Sequence, residues 1–189
     1  MDTQKKSSIT ISLSKAYEIE IVKGLLVFLL GSFAIIIHAK LRIPLGIPGR
    51  HGIIFMALLF LGKYMYNSKF SGSLFSLGCN SILIFSNLGF NDPYMPVIIM
   101  FPGLITDILP MVFKTKNANF GFTILVGAIA YMSIPALRTI IMSLTGFPYG
   151  SLLKSPILPF ITYFLFGALG TAFAFGVNHA IKKRKIVKQ

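Results

Sequence analysis

The sequence predicts an all-α integral membrane protein, a bundle of six transmembrane helices in which prolines kink several members. Three observations lead there. Of 189 residues, 54% are hydrophobic and only 12% charged, with mean hydropathy +0.77, whereas soluble domains carry about 25% charged residues. Six apolar segments, 21–43, 51–67, 70–90, 93–113, 119–144 and 155–181, end at charge, Gly, Pro or Asn, and their lengths suit bilayer spans of roughly 20 residues. The basic residues fall mainly on one side of the resulting topology.

Residues 1–20, "MDTQKKSSITISLSKAYEIE", form a polar segment with three acids, too long in its polarity for a cleavable signal peptide. It is expected to remain on the chain, either as a short surface helix or as loose polypeptide. The membrane domain covers 21–181, and a basic tail covers 182–189. Its second segment, "HGIIFMALLFLGKYMYN", lies near the lower length limit, and only "NSK" separates it from the third. The fourth carries Pro96, Pro102 and Pro110 and the fifth carries Pro135. Proline frees carbonyls that a membrane protein places against neighbours or a cavity, so the fourth span is expected to be irregular.

Six spans return both termini to one side. With the termini inside, thirteen of eighteen Lys and Arg are cytoplasmic, leaving Lys40, Arg42, Arg50 and Lys154 outside and Arg138 within the fifth span. Short cytoplasmic loops carry the basic excess, so a multi-pass protein of the bacterial cytoplasmic membrane with both termini cytoplasmic is expected. Three of the four outer cations crowd into "HAKLRIPLGIPGRHG", residues 38–52. They oppose the topological trend and need another explanation.

A net charge of +13 raises nucleic acid as a partner, but the cations lie between apolar runs rather than on one solvated face. No nucleic-acid role is expected. The lone Cys79 excludes a disulfide framework within one chain, and no metal or other cofactor is expected. The sequence has no HExxH, Walker A or GxSxG and only five acids, which argues against an enzyme. Active transport would therefore draw on an external energy source.

Two ionisable residues lie inside apolar sequence, Asp107 in "FPGLITDILPMVF" and Arg138 in "YMSIPALRTIIM". Such groups cost at least about 2.5 kcal/mol and normally face a bundle interior or a water cavity. Counted from the span ends, their heights differ by about 10 Å, so a direct ion pair requires kinks or shifted boundaries. Arg138 either reaches the outer headgroups or, with Arg50 and Lys154, binds an anionic group such as a carboxylate. Asp107 is either a structural hydrogen-bonding or boundary residue or part of that site. His51 and Tyr149 complete the candidate substrate-binding set of Arg50, His51, Asp107, Arg138, Tyr149 and Lys154. In the sixth span, Ala168, Ala172 and Gly176 recur at four-residue spacing beside Gly167/Thr171 and Gly170/Ala174, allowing close helix packing within the chain or against another subunit.

The apolar first span ending in "HAKLRIPLGIPG", the short second span "IIFMALLFLGKYMYN", and the last span "SPILPFITYFLFGALGTAFAFG" resemble the substrate-binding (S) component of an energy-coupling factor (ECF) vitamin transporter, loosely of the biotin type. The likeness is loose over all six spans and more specific over 38–66 and 155–176. It implies six helices, cytoplasmic termini and capture of a small vitamin or related metabolite near the outer face. It also implies a transmembrane coupling subunit and ATPase subunits as partners, alongside membrane lipid. Residues 44–52 become a lid, with Pro44, Gly46, Pro48 and Gly49 shaping it and Arg50 meeting an anionic ligand. The first span lacks the family's AxxxA spacing at Gly31, Ala34 and Ala39, and "GFNDPYMPVIIMFPG" replaces a Gly-rich signature. The alternative from the residues alone is a non-catalytic membrane scaffold or accessory subunit.

Overall fold

The structure, a computed structural model, describes residues 2–40, 47–85, 92–114 and 119–187, with side chains for 17–40, 47–84, 92–114 and 119–184. Within these residues the chain is all-helical, with no strand: α1 Asp2–Lys40, α2 Gly52–Met65, α3 Ser71–Phe85, α4 Met95–Val112, α5 Phe120–Thr145, α6 Gly150–Lys154 and α7 Leu158–Val187. Each expected apolar segment overlaps one of the six longer helices, and α6 adds a short turn in the last connection. The undecided N-terminal segment is helical and runs into α1 without a break, while the basic tail continues α7 as far as Val187.

Four stretches are long and apolar enough to cross a membrane: Tyr17–Lys40, Met95–Val112, Phe120–Thr145 and Leu158–Arg184. α2 and α3, with 14 and 15 residues, are shorter than the roughly 20 that a straight crossing needs. α2 stops where Tyr66 turns extended, at φ −124° and ψ 93°. α4 begins with Pro96 in its first turn, where the missing N–H costs no hydrogen bond. Gly146 ends α5 at φ 72° and donates its N–H to the Met142 carbonyl at 2.9 Å, a left-handed stop that glycine adopts without strain.

The six longer helices close into a ring in the order α1, α3, α4, α5, α7, α2 and back to α1, and α2 also reaches across to α3 and α5. This short helix buries Phe55, Met56, Leu59 and Phe60, so it supplies much of the core with Phe75, Ile98, Ile99 and Tyr131. The outward faces are apolar as well. Ile21, Leu25, Leu29, Phe33 and Ile36 line one exposed stripe of α1, and Leu158, Ile161, Leu165, Leu169 and Phe173 line another on α7. A soluble helix turns polar residues outward. Here the inversion calls for lipid, and the fold is that of a membrane protein.

Glycine sets the tightest helix contact. A methyl group at Gly31 would strike the Phe75 carbonyl, and one at Gly78 would strike the Phe28 carbonyl, so α1 and α3 meet backbone to backbone. Ser32 spans the same seam, donating its hydroxyl to the Gly78 carbonyl at 2.9 Å. In α7, Gly167 lies against Tyr131 and Gly127 of α5, and Gly170 lies against Gly52 and Ile53 of α2. Thr171 and Ala174 are buried with them. Ala168 and Ala172 are half-buried, and Gly176 is exposed with open space around it. The small residues of α7 thus split into an inward packing set and an outward stripe.

Candidate functional site

The ring has two chemically different ends. One gathers the end of α1, the connection before α2, the start of α4, the end of α5, α6 and the start of α7. At this end Arg138 donates through Nη1 to the Tyr163 hydroxyl at 3.2 Å and lies 3.6 Å from Asp92 through Nη2. Its guanidinium carbon stands 5.3 Å from the Tyr149 ring centroid. Asp92 accepts from the Tyr94 N–H at 3.0 Å and from the Tyr149 hydroxyl at 3.2 Å. Burial, and then the neighbouring Asp92 carboxylate, pushes the Tyr149 phenol up to about 12, so it remains a hydrogen-bond donor at neutral pH.

Residues 47–51, just before α2, pack against this group. Gly49, at φ 78°, sets its backbone against the Tyr163 ring, and Gly52 does the same against Tyr131. Tyr131 and Tyr163 are themselves stacked, with centroids 4.7 Å apart and planes 20° from parallel. His51 meets His38 of α1 at a ring separation of 4.7 Å, and His38 is within electrostatic reach of His51, Arg138 and Arg50. Burial, and then the adjacent Arg50 charge, lowers the His51 pKa. Among the described residues, neither the buried Nε of Arg50 nor that of Arg138 meets an acceptor.

The structure brings some of the expected residues together and separates others. Arg50, His51, Arg138 and Tyr149 come together, with Pro48 and Gly49 leading into them; Pro44 and Gly46 lie outside the described residues. Lys154 is exposed at the end of α6. Asp107 belongs to the opposite end, where Lys63 donates to Oδ1. The Gly72 N–H also donates to Oδ1 at 3.0 Å, while the Ser73 N–H and hydroxyl donate to Oδ2, each at 2.7 Å. Gly72 and Ser73 open α3, so Asp107 caps that helix end from α4, where backbone donors and the helix dipole favour an anion. The direct Asp107–Arg138 pair considered from sequence does not form: each has its own partner, Lys63 and Asp92. The height difference anticipated that separation.

A cavity of about 770 Å³ opens beside Lys63 and Asp107, between the ends of α2, α4 and α7 and the start of α5. Sequence reasoning placed ligand chemistry at the Arg138 end, left packing and a cavity wall both open for the prolines of the fourth span, and missed this space. Pro110 of α4 does line it. Among the described residues, no group of three or more His, Cys, Asp or Glu is arranged to hold a metal ion. Comparisons with protein-family models, curated proteins and solved structures gave no match.

Proposed function

We propose that this chain is the membrane-embedded substrate-binding subunit of an ECF-type importer, taking a small anionic vitamin or related metabolite at the Arg138 end. One observation carries the reading. Two guanidinium groups, each with a buried Nε that meets no acceptor among the described residues, lie within electrostatic reach of His38, with Asp92 the one carboxylate among those residues paired with either. A ligand carboxylate would balance the extra charge and accept both orphaned donors, the pairing for which the guanidinium fork is suited. The connection carrying Gly49 and Arg50 would then act as the lid.

The topology fits that role. With α2 and α3 counted as two short crossings, six spans leave the Lys-rich end in the cytoplasm and the Arg138 end outside. ATPase and coupling subunits would supply the energy. A non-catalytic scaffold is the second reading, and the outward stripe of Ala168, Ala172 and Gly176 favours it, since small residues let a partner helix approach.

Native mass spectrometry of the purified protein, followed by competition with a vitamin panel, separates the two. An S component retains or binds one vitamin-sized anion, and Arg138→Ala or Arg50→Ala weakens it about 10- to 100-fold, as loss of a charge-assisted hydrogen bond does. Refusal of the whole panel, with a copurifying subunit lost on Gly176→Leu, assigns the scaffold.

A further inference from the structure

We propose that the cavity beside Lys63 and Asp107 is a second, independent site, built to hold the phosphate group of an anionic molecule. Lys63, Lys69 and Lys182 line it, against one carboxylate, Asp107. That leaves two positive charges in excess, three minus one. Asp107 is already engaged by Lys63 and by the first turn of α3, so Lys69 and Lys182 remain for a ligand. A phosphate monoester carries about −1.5 to −2 at neutral pH. The charges match.

Two further features point to an occupant. Asn67 and Asn178 bring amides to the wall, and Tyr64, also lining the cavity, has a buried hydroxyl with no hydrogen-bond partner among the described residues. Phe60, Val126 and Phe175 form apolar wall, which lowers the local dielectric and strengthens attraction for an anion. At about 770 Å³ the space is far larger than a bare phosphate and within the roughly 300–1,000 Å³ of small-molecule sites. It has room for phosphate with an attached organic body. Basic pockets between membrane helices take phospholipid headgroups by this chemistry, and a soluble phosphomonoester would present the same group.

The test titrates the detergent-purified full chain with dihexanoyl phosphatidic acid, with glycerol 3-phosphate, and with dihexanoyl phosphatidylcholine as the zwitterionic control. Saturable binding of phosphatidic acid alone assigns a lipid headgroup; comparable binding of glycerol 3-phosphate assigns a soluble phosphomonoester. In either case the double variant Lys69→Ala/Lys182→Ala, both exposed positions, should weaken binding about 30-fold, from about a factor of five per lysine. The pair Lys183→Ala/Arg184→Ala removes equal charge from α7 outside the cavity and should change nothing. No saturable binding of either phosphate probe, equal binding of phosphatidylcholine, or equal loss from both double variants overturns the proposal. The result is independent of the Arg138 end, whose occupancy none of these measurements reads.

Discussion

The backbone of Gly49 rests on the ring of Tyr163, the same tyrosine whose hydroxyl accepts a hydrogen bond from Arg138. The connection before α2 is thereby fastened to the α5–α7 pair at the point where Arg138 is held. A residue with a side chain meets two obstacles there, the left-handed φ of 78° and the aromatic ring. These can be measured apart.

Gly49→Ala should destabilise the protein by about 2–3 kcal/mol, roughly 1–2 from the left-handed backbone and the rest from the ring contact. In a Tyr163→Leu background the clash is relieved while the backbone cost stays. A double-mutant cycle read by thermal unfolding in detergent should therefore show coupling of about 1 kcal/mol. Strict additivity of the two substitutions would mean that this contact does not hold the connection.

Between α1 and α3 the obstruction is backbone, which cannot rotate away. Gly31→Ala and Gly78→Ala should each force the helices apart and cost about 2–3 kcal/mol, at the upper end for overpacking by one methyl. Gly176→Ala, on the open stripe of α7, should be neutral or slightly stabilising because alanine is the better helix former. If Gly31→Ala and Gly176→Ala unfold at the same temperature, the α1–α3 seam is not as close as described.

The helices were legible because bilayer-length apolar runs announce themselves without tertiary information, and even the short α2 was visible as a segment at the lower length limit. The polar start of α1 was not, since residues 8–20 carry no single face that periodicity could read. The partner of Arg138 was sought among groups inside the spans, which offered only Asp107. Asp92, beside Pro93 at the same end of the bundle as Arg138, was not considered as its partner because it lies at a span boundary rather than inside one. Lys63 was counted as a boundary charge for topology, and the same depth argument places Asp107 at its end. In α7, four-residue spacing found the small residues from Gly167 to Gly176, but three interleaved sets share that spacing. Only the neighbouring α2 and α5 decide which sets face inward.

His51 gives a pH dependence. Its folded-state pKa is lowered by burial and by Arg50, so the unfolded chain binds the proton more readily. The neutral ring's contribution is complete above the unfolded value of about 6.5 and is lost as pH falls towards the depressed folded value. Unfolding temperature should drop between pH 7 and pH 5, and His51→Gln should flatten part of that slope while Arg50, His38 and Arg138 remain in place. An unchanged slope in His51→Gln would show that its titration is not coupled to folding.

The Lys63–Asp107 pair should be asymmetric. Asp107 is 2% exposed and Lys63 18% in their side chains, and the carboxylate also holds three donors from the start of α3. Asp107→Asn removes the charge those donors face and leaves Lys63 without its counter-ion, so a loss of about 3 kcal/mol is expected, the low end for breaking a buried pair because Lys63 can turn into the cavity. Lys63→Met leaves Asp107 capped by Gly72 and Ser73 and replaces a long stem by one of similar length, so about 1 kcal/mol is expected. Chemical unfolding of the two variants in the same detergent compares them directly. A larger loss in Lys63→Met than in Asp107→Asn would mean that the lysine, not the opening turn of α3, is what holds the carboxylate.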